Sequence, residues 1–183
     1  MEPLTTEQLE IGVDAVRDSP RDDGTLDLIV RRPAVDAREV LEVGELDRDV
    51  GLVGDTWNER ASGSSVDGGP HPEKQLNIMN ARAAALFARS ADRWALAGDQ
   101  LFVDLDLSAA NLPAGTRLAM GSAIIEVTAS PHTGCAKFSA RFGVDAQRFV
   151  NSEVGKELRL RGICARVVQP GTIRQGDRVV KVT

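Results

Sequence analysis

The sequence predicts a mainly β fold of the α+β kind, a β-rich barrel with a few short helices packed on it. Three observations carry this expectation. "DQLFVDLDLS", 99–108, alternates with a period of two, placing Leu101, Val103, Leu105 and Leu107 on one face and Phe102, Asp104 and Asp106 on the other. Short β-rich runs recur between Gly-containing turns along most of the chain. Helical patterns are few and short, so a sheet closed on itself, with helices on its outside, is the economical way to bury the apolar faces.

The elements follow in order. In 1–23, "TTEQLE" can open a short helix capped by Thr5 or Thr6, and this stretch reads as an N-terminal extension packed on a barrel domain of residues 24–183. "TLDLIVRR", 25–32, is β-branched and apolar and stops before Pro33, as a strand does. In 35–57 helical and extended readings compete, with Gly44, Gly51 and Gly54 breaking any long helix. Residues 58–74, "NERASGSSVDGGPHPEK", form a long loop without apolar period. Leu76, Ile78 and Met79 suit a strand. Asn80 can then cap a helix through Ala81 to Arg89 with Leu86 and Phe87 toward the core. Residues 116–128 read as a hairpin turning at Gly121-Ser122. "FSARFGVDAQRFVNS" gives one or two short helices broken at Gly143. The chain then closes as three strands with turns at Pro170-Gly171 and Gly176-Asp177.

A chain of 183 residues suits one domain with a full core. A formal charge of -5 and the absence of Tyr argue against a nucleic-acid binder, which needs basic and stacking surfaces. No apolar run nears the ~20 residues that cross a bilayer. The acidic N-terminus does not resemble a secretory signal. Two cysteines make no disulfide framework, so the expected setting is cytoplasmic with reduced thiols.

The chemistry concentrates in "SPHTGCAKFSARFG", 130–143. One of the two cysteines, Cys135, stands three residues from one of the two histidines, His132, and is followed by Lys137 and Arg141. Positive neighbours favour a thiolate, the nucleophilic form. The bland alternative is a half-exposed loop cysteine. Cys164, within "GICARVV", reads as a buried strand cysteine. His132 and Cys135 are two short of a structural zinc set, and His71 and Cys164 lie far off in sequence. A Cys135–His132 nucleophile pair would need a third group to orient the base. Asp55 and Asp99 each follow a glycine. They read as turn residues, or as the frame of a pocket mouth together with Arg60. Arg60, Lys74 and Arg82 are candidate anion binders.

The ordered blocks "GLVGD", "QLNIMNARAAAL", "AGDQL", "LPAGTRLAMGSAIIEVT", "PHTGCAKFSARFG" and "RGICARVVQPGTIRQGD" resemble the MOSC domain, from about residue 24 to the end. That is the C-terminal domain of molybdenum cofactor sulfurases, also found as stand-alone bacterial proteins. The resemblance implies a β-barrel and matches Cys135 to the family cysteine proposed to carry sulfur as a persulfide, or to ligate molybdenum if the molybdenum cofactor is bound. Lys137 matches the basic residue two places on. The chain has Gly98-Asp99-Gln100-Leu101 where many members have Gly-Glu/Arg-Asn-Leu, and "PHTGC" where Pro-x-x-Pro-Cys is commoner. The pterin-binding branch carries a further N-terminal barrel, for which 1–23 is too short.

The resulting expectation is a sulfur-handling protein with Cys135, His132 and Lys137 as the working residues. Arg141, Asp99, Arg60, Asp55 and Thr133 are the candidate cofactor-binding residues, and molybdopterin is the candidate cofactor. Its partner would be a sulfur donor such as a cysteine desulfurase, or a small anionic ligand. Two other readings stand beside it: a molybdenum-cofactor-dependent reductase of N-hydroxylated compounds, and a non-enzymatic module that binds a small anion or a partner.

Overall fold

The structure, a computed structural model, describes residues 2–59 and 68–182. Arg60 and the centre of the 58–74 loop lie outside the described residues.

Seven strands close into a barrel. Around the ring they run β1 (Gly24–Arg31), β11 (Arg178–Val182), β7 (Arg117–Met120), β8 (Ala123–Val127), β9 (Ile163–Gln169), β5 (Leu76–Asn80) and β6 (Leu101–Asp104), which pairs back with β1. Every pairing in the ring is antiparallel except β5 with β6. A parallel pair needs a crossover. Here it is α3 (Ala81–Ala88) followed by a 3-10 helix at Ala91–Ala97. As the sequence predicts, Asn80 caps α3, its Oδ1 accepting the Ala83 N–H at 3.0 Å. A short β2 (Glu39–Leu41) lies along the outer edge of β1, and β3 (Val43–Asp47), β4 (Gly51–Leu52) and β10 (Gly171–Arg174) form a small second sheet. The extended reading therefore wins over 39–52.

The period-two alternation sorts residues into two cores. Leu26, Ile29, Ile78, Leu101, Val103, Leu105 and Leu107 join the barrel interior. Their alternates Val30, Met79 and Phe102 face outward, into a second apolar layer beneath the helices. That layer gathers Leu9 of α1 (Thr6–Gly12), Val16 of α2 (Asp14–Arg17), Phe87, and Phe138, Phe142 and Phe149 of α4 (Ala136–Phe142) and α5 (Val144–Val150). Burial on both faces explains the adjacent apolar residues Ile78-Met79 in β5 and Leu101-Phe102-Val103 in β6. Thr5 closes a capping box at α1.

The hairpin turns where expected, with Gly121 at φ +55° and a Cβ there colliding with the Thr172 carbonyl oxygen. Gly143, at φ +97°, separates α4 from α5. One further helix, α6 (Glu153–Glu157), was not anticipated. Its cap is Ser152, whose Oγ accepts the Gly155 N–H at 3.1 Å. Among the described residues no helix is long and apolar enough to cross a membrane.

Candidate functional site: a loop thiol and a buried polar cluster

Residues 128–135 connect β8 to α4 without regular secondary structure, and Cys135, in extended conformation, is the N-cap of α4, with no side-chain capping bond. Its thiol is free and exposed. The loop is held by Asn151, at the end of α5. The Asn151 Oδ1 accepts the Gly134 N–H and its Nδ2 donates to the Gly134 carbonyl, both at 3.0 Å. Glycine is required at 134 for that approach, since a Cβ would fall 2.6 Å from Val150 Cγ2.

Behind the loop lies a cavity of about 260 Å³ lined by Thr128, Ser130, His132, Thr133, Asn151, Lys156, Arg159, Arg161 and Cys164, among others. At its inner end is a polar cluster in an otherwise apolar layer. Asp99 is fully buried; its Oδ2 accepts from Arg161 Nη1 at 2.7 Å and its Oδ1 lies 3.4 Å from His132 Nδ1. The second contact is poorly aligned, and among the described residues Asp99 Oδ1, His132 Nδ1 and Arg161 Nε are all left without a hydrogen-bond partner. Burial pushes the Asp99 carboxyl up, opposed by Arg161 and Arg32. Burial, followed by the nearby charges of Arg161, Arg32 and Lys74, holds His132 well below the ordinary imidazole range, so it is neutral at pH 7.

The turn that carries Asp99 is fixed by three arginines. Arg141 Nη1 donates to the Leu96 carbonyl at 2.8 Å, Arg161 Nη2 to Ala97 at 3.0 Å, and Arg32 Nη1 to Gly98 at 2.9 Å. These are the orphan carbonyls at the C-terminal end of the 3-10 helix, where cations are favoured. Arg32 is itself gripped by Asp55, whose two oxygens accept from its Nε and Nη2, each at 2.8 Å. The Arg161 guanidinium also lies over the Phe138 ring, 5.1 Å from its centroid.

The structure brings His132 and Thr133 to one cavity, with Asp99 buried against the lining residues His132 and Arg161, and sets Cys135 at the end of the loop that walls it. It does not bring the other basic residues onto the sulfur. Lys137 Nζ and Arg141 Nη2 both turn to Asp36, at 3.8 and 3.4 Å, and Cys135 Sγ has no hydrogen bond among the described residues. Asp55 is sealed under Arg32 rather than open at a pocket mouth. Arg82 pairs with Asp104 on the barrel's outer surface. Cys164 is buried as expected, with Sγ 3.6 Å from Asn77 Oδ1. Burial, reinforced by the Asp99 charge, pushes its thiol up to about 11. Among the described residues no cluster of three or more His, Cys, Asp or Glu could hold a metal ion.

Sequence reasoning missed Arg32, Asn151, Lys156, Arg159 and Arg161. A signal existed for two of them. Arg32 ends a strand just before Pro33, and Arg161 opens "RGICARVV" just before Gly162, each a charge beside a run that must be buried. Gly162, at φ +109°, passes so close to β5 that a Cβ would collide with the Ile78 carbonyl oxygen and sit 3.3 Å from His132 Nδ1.

A closed mixed barrel with an outer helical layer, an exposed loop thiol and a polar cavity behind it defines a class of small barrel proteins. Residues 64–180 match the family model described as the MOSC domain, and the chain belongs to that family. Solved structures of similar fold include YuaD protein from Bacillus subtilis, at 15% identity and a TM-score of 0.59 over 85% of this chain and 93% of that one. YiiM from Escherichia coli gives 21% identity and a TM-score of 0.56 over 87% and 70% of the two chains. YiiM from Geobacillus stearothermophilus gives 14% and 0.54 over 90% and 75%. No curated protein sequence matches the chain.

The molybdenum cofactor associated with this family is an anionic, hydrogen-bonding group that takes one thiolate from the protein. The residues present fit it in kind. Among the described residues Lys156 and Arg159 line the cavity with no carboxylate partner and Arg161 Nε is unsatisfied, and Cys135, at the end of the loop that walls the cavity, offers a free thiol.

Proposed function

We propose that this MOSC protein handles sulfur through Cys135, which accepts a sulfane sulfur and carries it as a persulfide. The observation that carries the reading is the contrast between the two cysteines. Cys135 is exposed, free and on a pinned loop, whereas Cys164 is sealed and its thiol is pushed away from ionisation. The Cys135 thiolate attacks the outer sulfur of a donor persulfide R–S–SH. A sulfur–sulfur bond forms at Cys135, the donor's sulfur–sulfur bond breaks, and R–S⁻ leaves, so charge and atoms balance with no added oxidant. Lys137 and Arg141, on the helix that Cys135 opens, place two cations against the single carboxylate of Asp36, leaving that helix a local excess of positive charge. The expected partner is a sulfur donor such as a cysteine desulfurase.

The test is intact mass after exposure to a desulfurase and free cysteine. Wild type and Cys164→Ser gain one sulfur atom and Cys135→Ser gains none. Loading of Cys135→Ser to the wild-type level overturns the reading.

A second reading, a molybdenum-cofactor-dependent reductase of N-hydroxylated compounds, draws support from the cationic cavity behind the cysteine loop. The cofactor when bound supplies metal-centred redox chemistry. Cys135 is the thiol that would ligate the metal, and Lys156 and Arg159 would hold an anionic group. Metal analysis of protein made in a cofactor-competent host decides it, and protein free of molybdenum at any occupancy removes it.

A further inference from the structure

We propose that the cavity behind the cysteine loop is a binding site for a small oxyanion that still carries a proton, hydrogen phosphate being the simplest, with His132 as the group that reads that proton. This goes beyond sulfur carriage and holds whether or not Cys135 carries sulfur.

Charge comes first. On a chain of net charge -5, Lys156 and Arg159 both line one cavity, and neither has a carboxylate partner among the described residues. The Arg159 Nη1 donates to the Leu112 carbonyl at 2.7 Å, which fixes the guanidinium without neutralising it. Arg161 adds a third cation, shared with Asp99 but with Nε unsatisfied. Thr128, Ser130, Thr133 and Asn151 complete a polar wall. At about 260 Å³ the cavity falls just below the ~300–1,000 Å³ of drug-sized sites, which suits a small ion or acid.

Selectivity comes from His132. Its Nδ1 is buried 3.4 Å from Asp99 Oδ1, while Nε2 is not buried in this way and has no hydrogen-bond partner among the described residues. A lone pair on Nδ1 would face a carboxylate oxygen, so the proton belongs on Nδ1 and the lone pair on Nε2, on the open side of the ring. Asp99 is thus the positioning residue and Nε2 an acceptor placed among cations. An oxyanion with an O–H satisfies both kinds of group. Sulfate, which has acceptors only, leaves Nε2 facing oxygen lone pairs. A buried acceptor left unpaired in this way is what makes such discrimination large.

The experiment uses the full chain with its only two histidines labelled with ¹⁵N. Inorganic phosphate, sulfate and methyl phosphate are titrated at equal ionic strength, slightly above neutral pH, where a phosphate monoester (pKa about 6) has lost its last proton. Phosphate is expected to bind about tenfold more tightly than sulfate or methyl phosphate, equivalent to about 1.4 kcal/mol, and to shift the His132 Nε2 resonance of an imidazole protonated on Nδ1. His132→Phe abolishes the preference and His132→Gln, with an amide oxygen as acceptor, restores part of it. Lys156→Gln weakens all three anions together. Equal affinities would mean that the site reads charge alone, as an end-group site for a phosphorylated cofactor would, and this overturns the proposal. So does failure of phosphate to bind at millimolar concentration, or an imidazole protonated on Nε2.

Discussion

Acid should destabilise this protein through His132, by an amount that one proton fixes. The ring is about one-eighth exposed (12%) and held neutral by burial and by three cations, so its folded pKa lies well below that of the unfolded chain, near 6.5. As pH falls below that value, the unfolded chain binds a proton that the folded chain refuses, and stability drops with pH. The limiting slope is about 1.4 kcal/mol per pH unit. Integrated from pH 7 to 5, it comes to about 2 kcal/mol. For a chain of this size that is a fall in melting temperature of about 4–8 °C. Asp99 acts in the opposite sense, because its raised pKa lets the folded state take up a proton first at low pH. The readout is therefore the difference between wild type and His132→Gln, in which the contributions of the other groups cancel. Urea or thermal unfolding of both, at intervals across this range, should show wild type losing about 2 kcal/mol relative to the variant. Parallel curves would show that His132 takes up its proton equally in the folded and unfolded states, and the account of the cluster would fail.

Other expectations rest on single contacts. Asp55→Ala removes a carboxylate that accepts from Arg32 Nε, Nη2 and backbone N–H and from the Trp57 N–H, leaving a buried guanidinium unpaired. It should cost about 3–5 kcal/mol in chemical denaturation, and a loss below 1 kcal/mol would refute that cost. Asn151→Ala breaks both bonds to Gly134 and should destabilise by about 1–3 kcal/mol. Faster amide exchange should then be confined to the cysteine loop, and uniform exchange would contradict the pinning. A neutral thiol reagent should modify Cys135 alone in the folded chain, reaching Cys164 only on unfolding. Prompt double labelling would refute the burial of Cys164.

Much of the fold was legible because local rules and global packing agree. "DQLFVDLDLS" alternates because one face fills the barrel, and Phe102 is apolar on the other because helices cover it. Asn80, Thr5 and Gly121 sit where caps and tight turns need them. The stretch 35–57 was ambiguous because its strands are only two to five residues long and mix buried with exposed positions, too short to set a period. The site was only half legible. The thiol announced itself by its neighbours, and His132 and Asp99 were both named. Their meeting 3.4 Å apart depends on two loops 33 positions apart in sequence (132 − 99), which no local pattern records. Proximity in sequence also misled. Arg141 lies six residues past Cys135, but helix geometry turns it to the Leu96 carbonyl and Asp36, where it caps a turn.

The most direct test of sulfur handling follows the atom itself. The chain is loaded by a desulfurase from isotopically labelled cysteine, digested and mapped, and a second portion is first chased with a low-molecular-weight thiol. The label should lie on the peptide containing Cys135 and should leave it during the chase. Label on the Cys164 peptide, or no label on either, would contradict the account.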